Sequence, residues 1–133
     1  MDKALADLIS AYVETAASLF PRVARHLGTS LPISNIDWAS LDVPQKGETP
    51  DGVRYFKHGY GVSMYDGRRT INMDVGDNGE IDGFDPGRLF DFAKENGLDT
   101  QFRSHLDIES VIKKATEAGE LKYSGYILYF PVE

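Results

Sequence analysis

Cysteine is absent from the 133 residues, which excludes disulfides, thiolate metal sites and cysteine nucleophiles and suits a reducing compartment. Long apolar runs are missing too, so no segment reaches the roughly 18 residues that a membrane-spanning helix needs. Asp2 and Asp7 interrupt the N-terminal apolar residues, where a signal peptide would have a basic start and an unbroken apolar stretch. The expectation is a cytoplasmic protein that neither enters nor lies on a membrane. Basic residues are scarce: 14 Lys and Arg face 21 Asp and Glu, for a net charge of -7. Nucleic acid is therefore not an expected partner, because phosphate neutralisation needs clustered cations. GxSxG, HExxH, a phosphate-binding glycine loop and a dinucleotide fingerprint are all lacking. No catalytic set, cofactor or metal site is expected from such a chain.

What is present fits one domain over residues 1–133, since 41% hydrophobic content at this length buries a core without staples. The acidity is uneven. Residues 1–27 carry three acids and three bases, residues 28–85 ten and five, and residues 86–133 eight and six. The middle of the chain therefore holds most of the negative excess, which serves solubility or a basic partner.

Leu5, Leu8, Ile9, Tyr12, Ala16, Leu19, Phe20, Val23 and Leu27 recur at helical spacing, a stripe that predicts an amphipathic helix. Pro21 disfavours helical geometry at Phe20 and predicts an end or kink there, with a short second helix reaching Gly28. Residues 28–52 hold six Gly and Pro without periodicity, which reads as an irregular connection pinned by Trp38 and Leu41. From Val53 the period becomes two. A first strand is expected near 53–58, a bulge or bend at Gly59 and Gly61, and then a hairpin of Tyr60 to Tyr65 with Ile71 to Val75 across a type I′ turn at Asp66-Gly67.

The stretch from Asp74 to Asp85, DVGDNGEIDGFD, has five acids and no base. As a calcium loop it fails, because Gly76 stands where a ligand is needed, the last position is Asp, and strand-period residues lead into it. Asn78-Gly79 signals a second hairpin, pairing Ile71–Val75 with Glu80–Phe84. Asp85-Pro86 then starts a helix with Leu89, Phe90, Phe92 and Ala93 inward and Gly97 at its end. Ser104 and Asp107 start another, with Ile108, Val111, Ile112 and Ala115 inward and Gly119 closing it. Leu121 to Phe130 reads as a strand apolar on both faces, which belongs in the centre of a sheet. The fold class is α+β: an N-terminal helix, an antiparallel meander of about four to five strands, two shorter helices and a C-terminal central strand.

Polar residues able to do chemistry are few. His58 is of the residue type suited to acid–base work, and Arg88 near a carboxylate such as Asp74 or Asp85 can orient an anion. Locally bonded roles are the favoured reading of His58 and Arg88: a strand histidine, and a helix arginine pairing with Asp85 or Asp91. A small enzyme or ligand-binding domain using His58, Asp74 and Arg88 is the alternative to a protein that only binds.

The order YFKHGYGVSMYDG, then INMDVGDNGEIDGFDPGRLFDF, behind LISAYVETAASLF, resembles a family of small uncharacterised bacterial proteins. Its signature is HGxG, a strand with DxG, and GFDxxRLxxF, here His58 to Gly61, Asp74 to Gly76, and Gly83 to Phe92. The resemblance covers about residues 5–93; where the family carries an aromatic between GFD and RL, this chain has Pro86-Gly87. Members are similar to the acidic immunity proteins of polymorphic or contact-dependent toxin systems. The resemblance implies a non-enzymatic inhibitor that occludes the basic active-site surface of a cognate toxin domain. Tyr60, Tyr65, Asp66, Asp77, Glu80 and Asp82 are the expected partner contacts, the acids as solvated charges at or beside the hairpin turns.

Overall fold

The structure, a computed structural model, describes residues 1–28, 38–75, 80–82, 85–120 and 127–129, with backbone only for 80–82 and 127–129. The helices are α1 (Lys3–His26), α2 (Pro86–Glu95) and α3 (His105–Glu117), and a short 3-10 turn spans Trp38–Ser40. The strands are β1 (Lys46–Glu48), β2 (Arg54–His58), β3 (Gly61–Tyr65), β4 (Thr70–Asp74), β5 (Glu80–Asp82) and β6 (Ile127–Tyr129). β1 to β4 form an antiparallel sheet in chain order, and β5 pairs with β6 in a second, two-stranded sheet. The α+β class is as the periodicities predict.

α1 starts where the Asp2 carboxylate accepts from the Leu5 amide at 3.0 Å, satisfying one of the orphan donors of its first turn. It does not end at Phe20. Pro21 lies inside one continuous helix, although it removes the bond to the carbonyl four residues back. Leu19, Phe20, Val23 and Ala24 are fully buried on both sides of it, so packing outweighs the lost bond.

The strands alternate as period two requires. Tyr55 and Lys57, Val62 and Met64, and Ile71 and Met73 are buried, and they share a core with α1, α2 and α3. Lys57 reaches the surrounding polar groups by donating to the Ala39 carbonyl at 3.5 Å, with its ammonium 5.9 Å from the Trp38 ring. Trp38 packs on Phe20 and donates to the Gly61 carbonyl at 3.2 Å, while Leu41 packs half-buried beside the core. These contacts pin part of the 28–52 connection, and that connection also contributes β1, which its glycines and prolines concealed.

Of the bulge or bend expected at Gly59 and Gly61 the chain makes the bend: β2 and β3 are joined by the two residues Gly59 and Tyr60, with Gly59 at φ 58°, a tight turn. Two other local expectations need correction. β3 and β4 are joined by four residues, closed by Asp66, whose carboxylate accepts from the amides of Arg68 and Arg69 at 2.9 and 2.8 Å. The predicted pairing of 71–75 with 80–84 is replaced as well. The Thr70 amide donates to Asn96 Oδ1 at 2.9 Å, Asn96 Nδ2 donates to the Thr70 carbonyl at 2.8 Å, and the Tyr12 hydroxyl donates to the Asn72 carbonyl at 2.9 Å. Side chains of α1 and α2 thus occupy the free edge of β4, and β5 pairs with β6 instead. The C-terminal strand is accordingly not central in the large sheet; the rest of the stretch read as strand, and Asn78-Gly79, lie outside the described residues.

α2 and α3 follow their capping signals. Asp85 accepts from the Gly87 amide at 2.7 Å with Pro86 next to it, and Ser104 accepts from the Leu106 amide at 3.2 Å. Arg88 meets Asp74 at one end of β4 and Asn96 meets Thr70 at the other. Eight helical residues at about 1.5 Å and four strand residues at about 3.4 Å cover similar lengths, so α2 lies along the β4 edge, antiparallel to it.

Candidate functional site

The residues singled out for chemistry converge. His58, Gly61 and Asp74 are direct cross-strand partners on β2, β3 and β4, forming one row at the end of the sheet. A Cβ added to Gly61 would lie 2.5 Å from His58 Cε1, 2.8 Å from His58 Nδ1 and 3.3 Å from Asp74 Oδ1. The imidazole therefore leans over a position that only glycine leaves open, toward the Asp74 carboxylate. Arg88 donates to Asp74 Oδ1 at 3.1 Å from the first turn of α2. On its other side, His58 Nε2 lies 3.3 Å from Ser63 Oγ, and the Ser63 hydroxyl donates to Asn72 Oδ1. Arg88 with Asp74 and His58 with Ser63 and Asn72 thus form two hydrogen-bonded polar groups on the outer face of the sheet, on either side of Gly61.

The Tyr12 phenol is buried, and burial pushes its pKa well above the ordinary value. The Arg88 cation works against that shift, and the Asp74 and Asp85 charges add to it. Tyr12 is thus a neutral hydrogen-bond donor to the strand edge across the physiological range.

The expected partner contacts divide. Tyr60 is 64% exposed and Tyr65 44% exposed, both on the surface. Asp66 is not a solvated charge: its side chain is only 13% exposed and lies 3.9 Å from Arg69. Burial opposes its ionisation, yet the amides of Arg69 and Arg68 and the Arg69 guanidinium hold its carboxyl below the usual range. Asp66 closes a turn through Oδ1, with Oδ2 turned toward the Arg69 guanidinium. Asp77 lies outside the described residues. Glu80 and Asp82 fall on β5, opposite Tyr129 and Ile127.

Phe56, which the sequence reading passed over, is 45% exposed on the same outer face. The signal was available: Arg54, Phe56 and His58 alternate with the buried Tyr55 and Lys57. Phe56 lies opposite Lys46 and Ser63, and Tyr65 opposite Arg54 and Thr70. These residues line an open groove of about 640 Å³.

Helices on one face of a four-stranded antiparallel meander define an α+β domain, and Arg54, Phe56, His58 and Tyr65 are exposed on the other face. The chain belongs to the family described as domain of unknown function DUF6896, whose model matches residues 5–131. No curated protein and no solved structure matches it. Among the described residues no helix is long and apolar enough to cross a membrane.

Proposed function

We propose that the protein is an immunity protein, a cytoplasmic inhibitor that binds a cognate toxin domain and occludes its basic active-site surface. The observation that supports this reading is the uncovered sheet face, where Phe56 and Tyr65 stand exposed and Tyr60 caps the end. Aromatic anchors on a rigid sheet suit a protein interface, because they bury large areas with little loss of rotamer freedom. The acidic excess of residues 28–85 supplies long-range attraction to a basic partner without any chemistry of its own. The direct test purifies the partner from cells carrying the gene and measures its activity during titration with this chain. Inhibition should be complete at one-to-one stoichiometry, and Tyr65→Ala or Tyr60→Ala should raise the off-rate. A partner whose activity is unaffected at saturation would end the reading.

A second reading has its own support in the convergence of His58, Asp74 and Arg88. A small ligand bound there would be held by an imidazole and a guanidinium beside a carboxylate, and the domain would then be a ligand-binding protein or small enzyme. His58→Gln and Arg88→Gln distinguish the two: they leave toxin inhibition intact under the first reading and abolish ligand binding under the second.

A further inference from the structure

We propose that the outer face of the sheet binds a free nucleotide, with the base held between Phe56 and Tyr65 and the phosphate at Lys46 and Arg54. The ligand would occupy the same Phe56 and Tyr65 face as the proposed toxin contact, but it is tested on the isolated chain, so its failure leaves the toxin reading standing.

The geometry starts from the strand order of side chains. Arg54, Phe56 and His58 follow one another along the outer face of β2. His58 occupies one side of Phe56, with ring centroids 5.6 Å apart and planes inclined by 32°. The next outer-face pair along the strands is Arg54 with Tyr65. Phe56 and Tyr65 are diagonal cross-strand neighbours, a relationship that separates residues by about 7–8 Å and keeps both aromatics within reach of one planar ligand. Both rings are nearly half exposed.

The groove has the size and the polar groups for such a ligand. Its volume of about 640 Å³ falls in the ~300–1,000 Å³ range of small-molecule sites. Thr70, opposite Tyr65, and Ser63, opposite Phe56, add hydroxyl groups to the lining, the Ser63 hydroxyl already donating to Asn72 Oδ1.

Charge selects the ligand class. Lys46 stands across from Phe56 and Arg54 across from Tyr65, while Glu48, the acid of this groove, sits 3.9 Å from Arg54. The groove lining is therefore net positive within a chain of net charge -7. One phosphate group is matched locally. A polyanionic strand would extend past these cations into the field of the whole chain, which opposes it. The site accordingly favours a free nucleotide over single-stranded nucleic acid.

The experiment is calorimetric titration of the full chain with the nucleoside monophosphates AMP, GMP, CMP and UMP, and, in separate arms, with adenosine, inorganic phosphate and a short oligoadenylate. At least one monophosphate should bind saturably at one-to-one stoichiometry, and phosphate alone should not. Phe56→Leu and Tyr65→Leu should each weaken binding by about 5- to 100-fold, as expected for loss of one base-stacking partner. Arg54→Gln should weaken the monophosphates and leave adenosine unchanged. Unchanged circular dichroism and melting temperature in these surface variants will confirm that they fold. The proposal is overturned if no monophosphate binds at millimolar concentration, if both aromatic variants bind as the parent does, or if the oligoadenylate binds more tightly than AMP.

Discussion

Arg88 donates to Asp74 Oδ1 at 3.1 Å from the first turn of α2, the end of a helix where a positive charge opposes the dipole. The Asp85 cap offsets the dipole at that turn, and Asp74 on the neighbouring strand supplies the partner charge of the guanidinium.

Both partners are partly exposed, and the pair is therefore screened. A double-mutant cycle of Arg88→Gln and Asp74→Asn should give a coupling of about 0.5–1 kcal/mol, declining with added salt. Urea denaturation at two salt concentrations measures it; a salt-independent coupling would show a pair sealed from solvent, contrary to the geometry.

Gly61→Ala should destabilise the protein by about 0.5–1.5 kcal/mol, the cost of an off-rotamer side chain, because the new methyl displaces the His58 ring. The ring is the far end of a side chain and can swing away, so adding His58→Ala should recover most of the loss. Thermal melting of the single and double variants checks this, and a double variant no more stable than Gly61→Ala alone would place the collision elsewhere.

Asn96 joins the C-terminal end of α2 to the β4 edge through the Thr70 amide, the Thr70 carbonyl and the Phe92 carbonyl. Asn96→Ala should cost about 1–3 kcal/mol by leaving these groups unpaired. It also uncovers strand edge, so light scattering should detect association that the parent does not show. A monomeric variant of parental stability would contradict this account of the edge.

Asp66 has a folded-state pKa below its unfolded value. Its contribution to stability is thus full above the unfolded carboxyl pKa, about 3.9, and is lost as pH falls through the lower folded value. Asp66→Ala should destabilise by about 1 kcal/mol at neutral pH, and the charge-dependent part of that loss should vanish in acid. Denaturation of both proteins from pH 7 to pH 2 tests the sign; a gap that widens in acid would reverse it.

The sequence revealed the fold wherever a local signal agreed with packing. The stripe from Leu5 to Val23, the Asp85-Pro86 cap and the alternation in β3 and β4 are such cases. It misled where tertiary contacts outweighed a local preference, as at Pro21, held in the helix by buried neighbours. It also misled over the partner of a strand, since no periodicity tells that Tyr12 and Asn96, one before β4 and one after it, reach its edge first. His58, Asp74 and Arg88 were recognisable as residue types, but their meeting depends on register and on the length of α2. Phe56 was hidden because an aromatic in a strand usually points inward, and only the burial of Lys57 shows which face is which.

Trp38 is the single tryptophan, and it stands where three parts of the molecule meet: Phe20 of α1, the Lys57 ammonium of β2 and the Gly61 carbonyl at the start of β3. Its indole is 1% exposed, so native emission comes from one dry environment and shifts to the red when water enters. The protein consequently carries its own optical reporter, positioned under the turn that sets His58 beside Gly61. Any ligand or partner that displaces that turn changes the colour and intensity of the light without a label being attached.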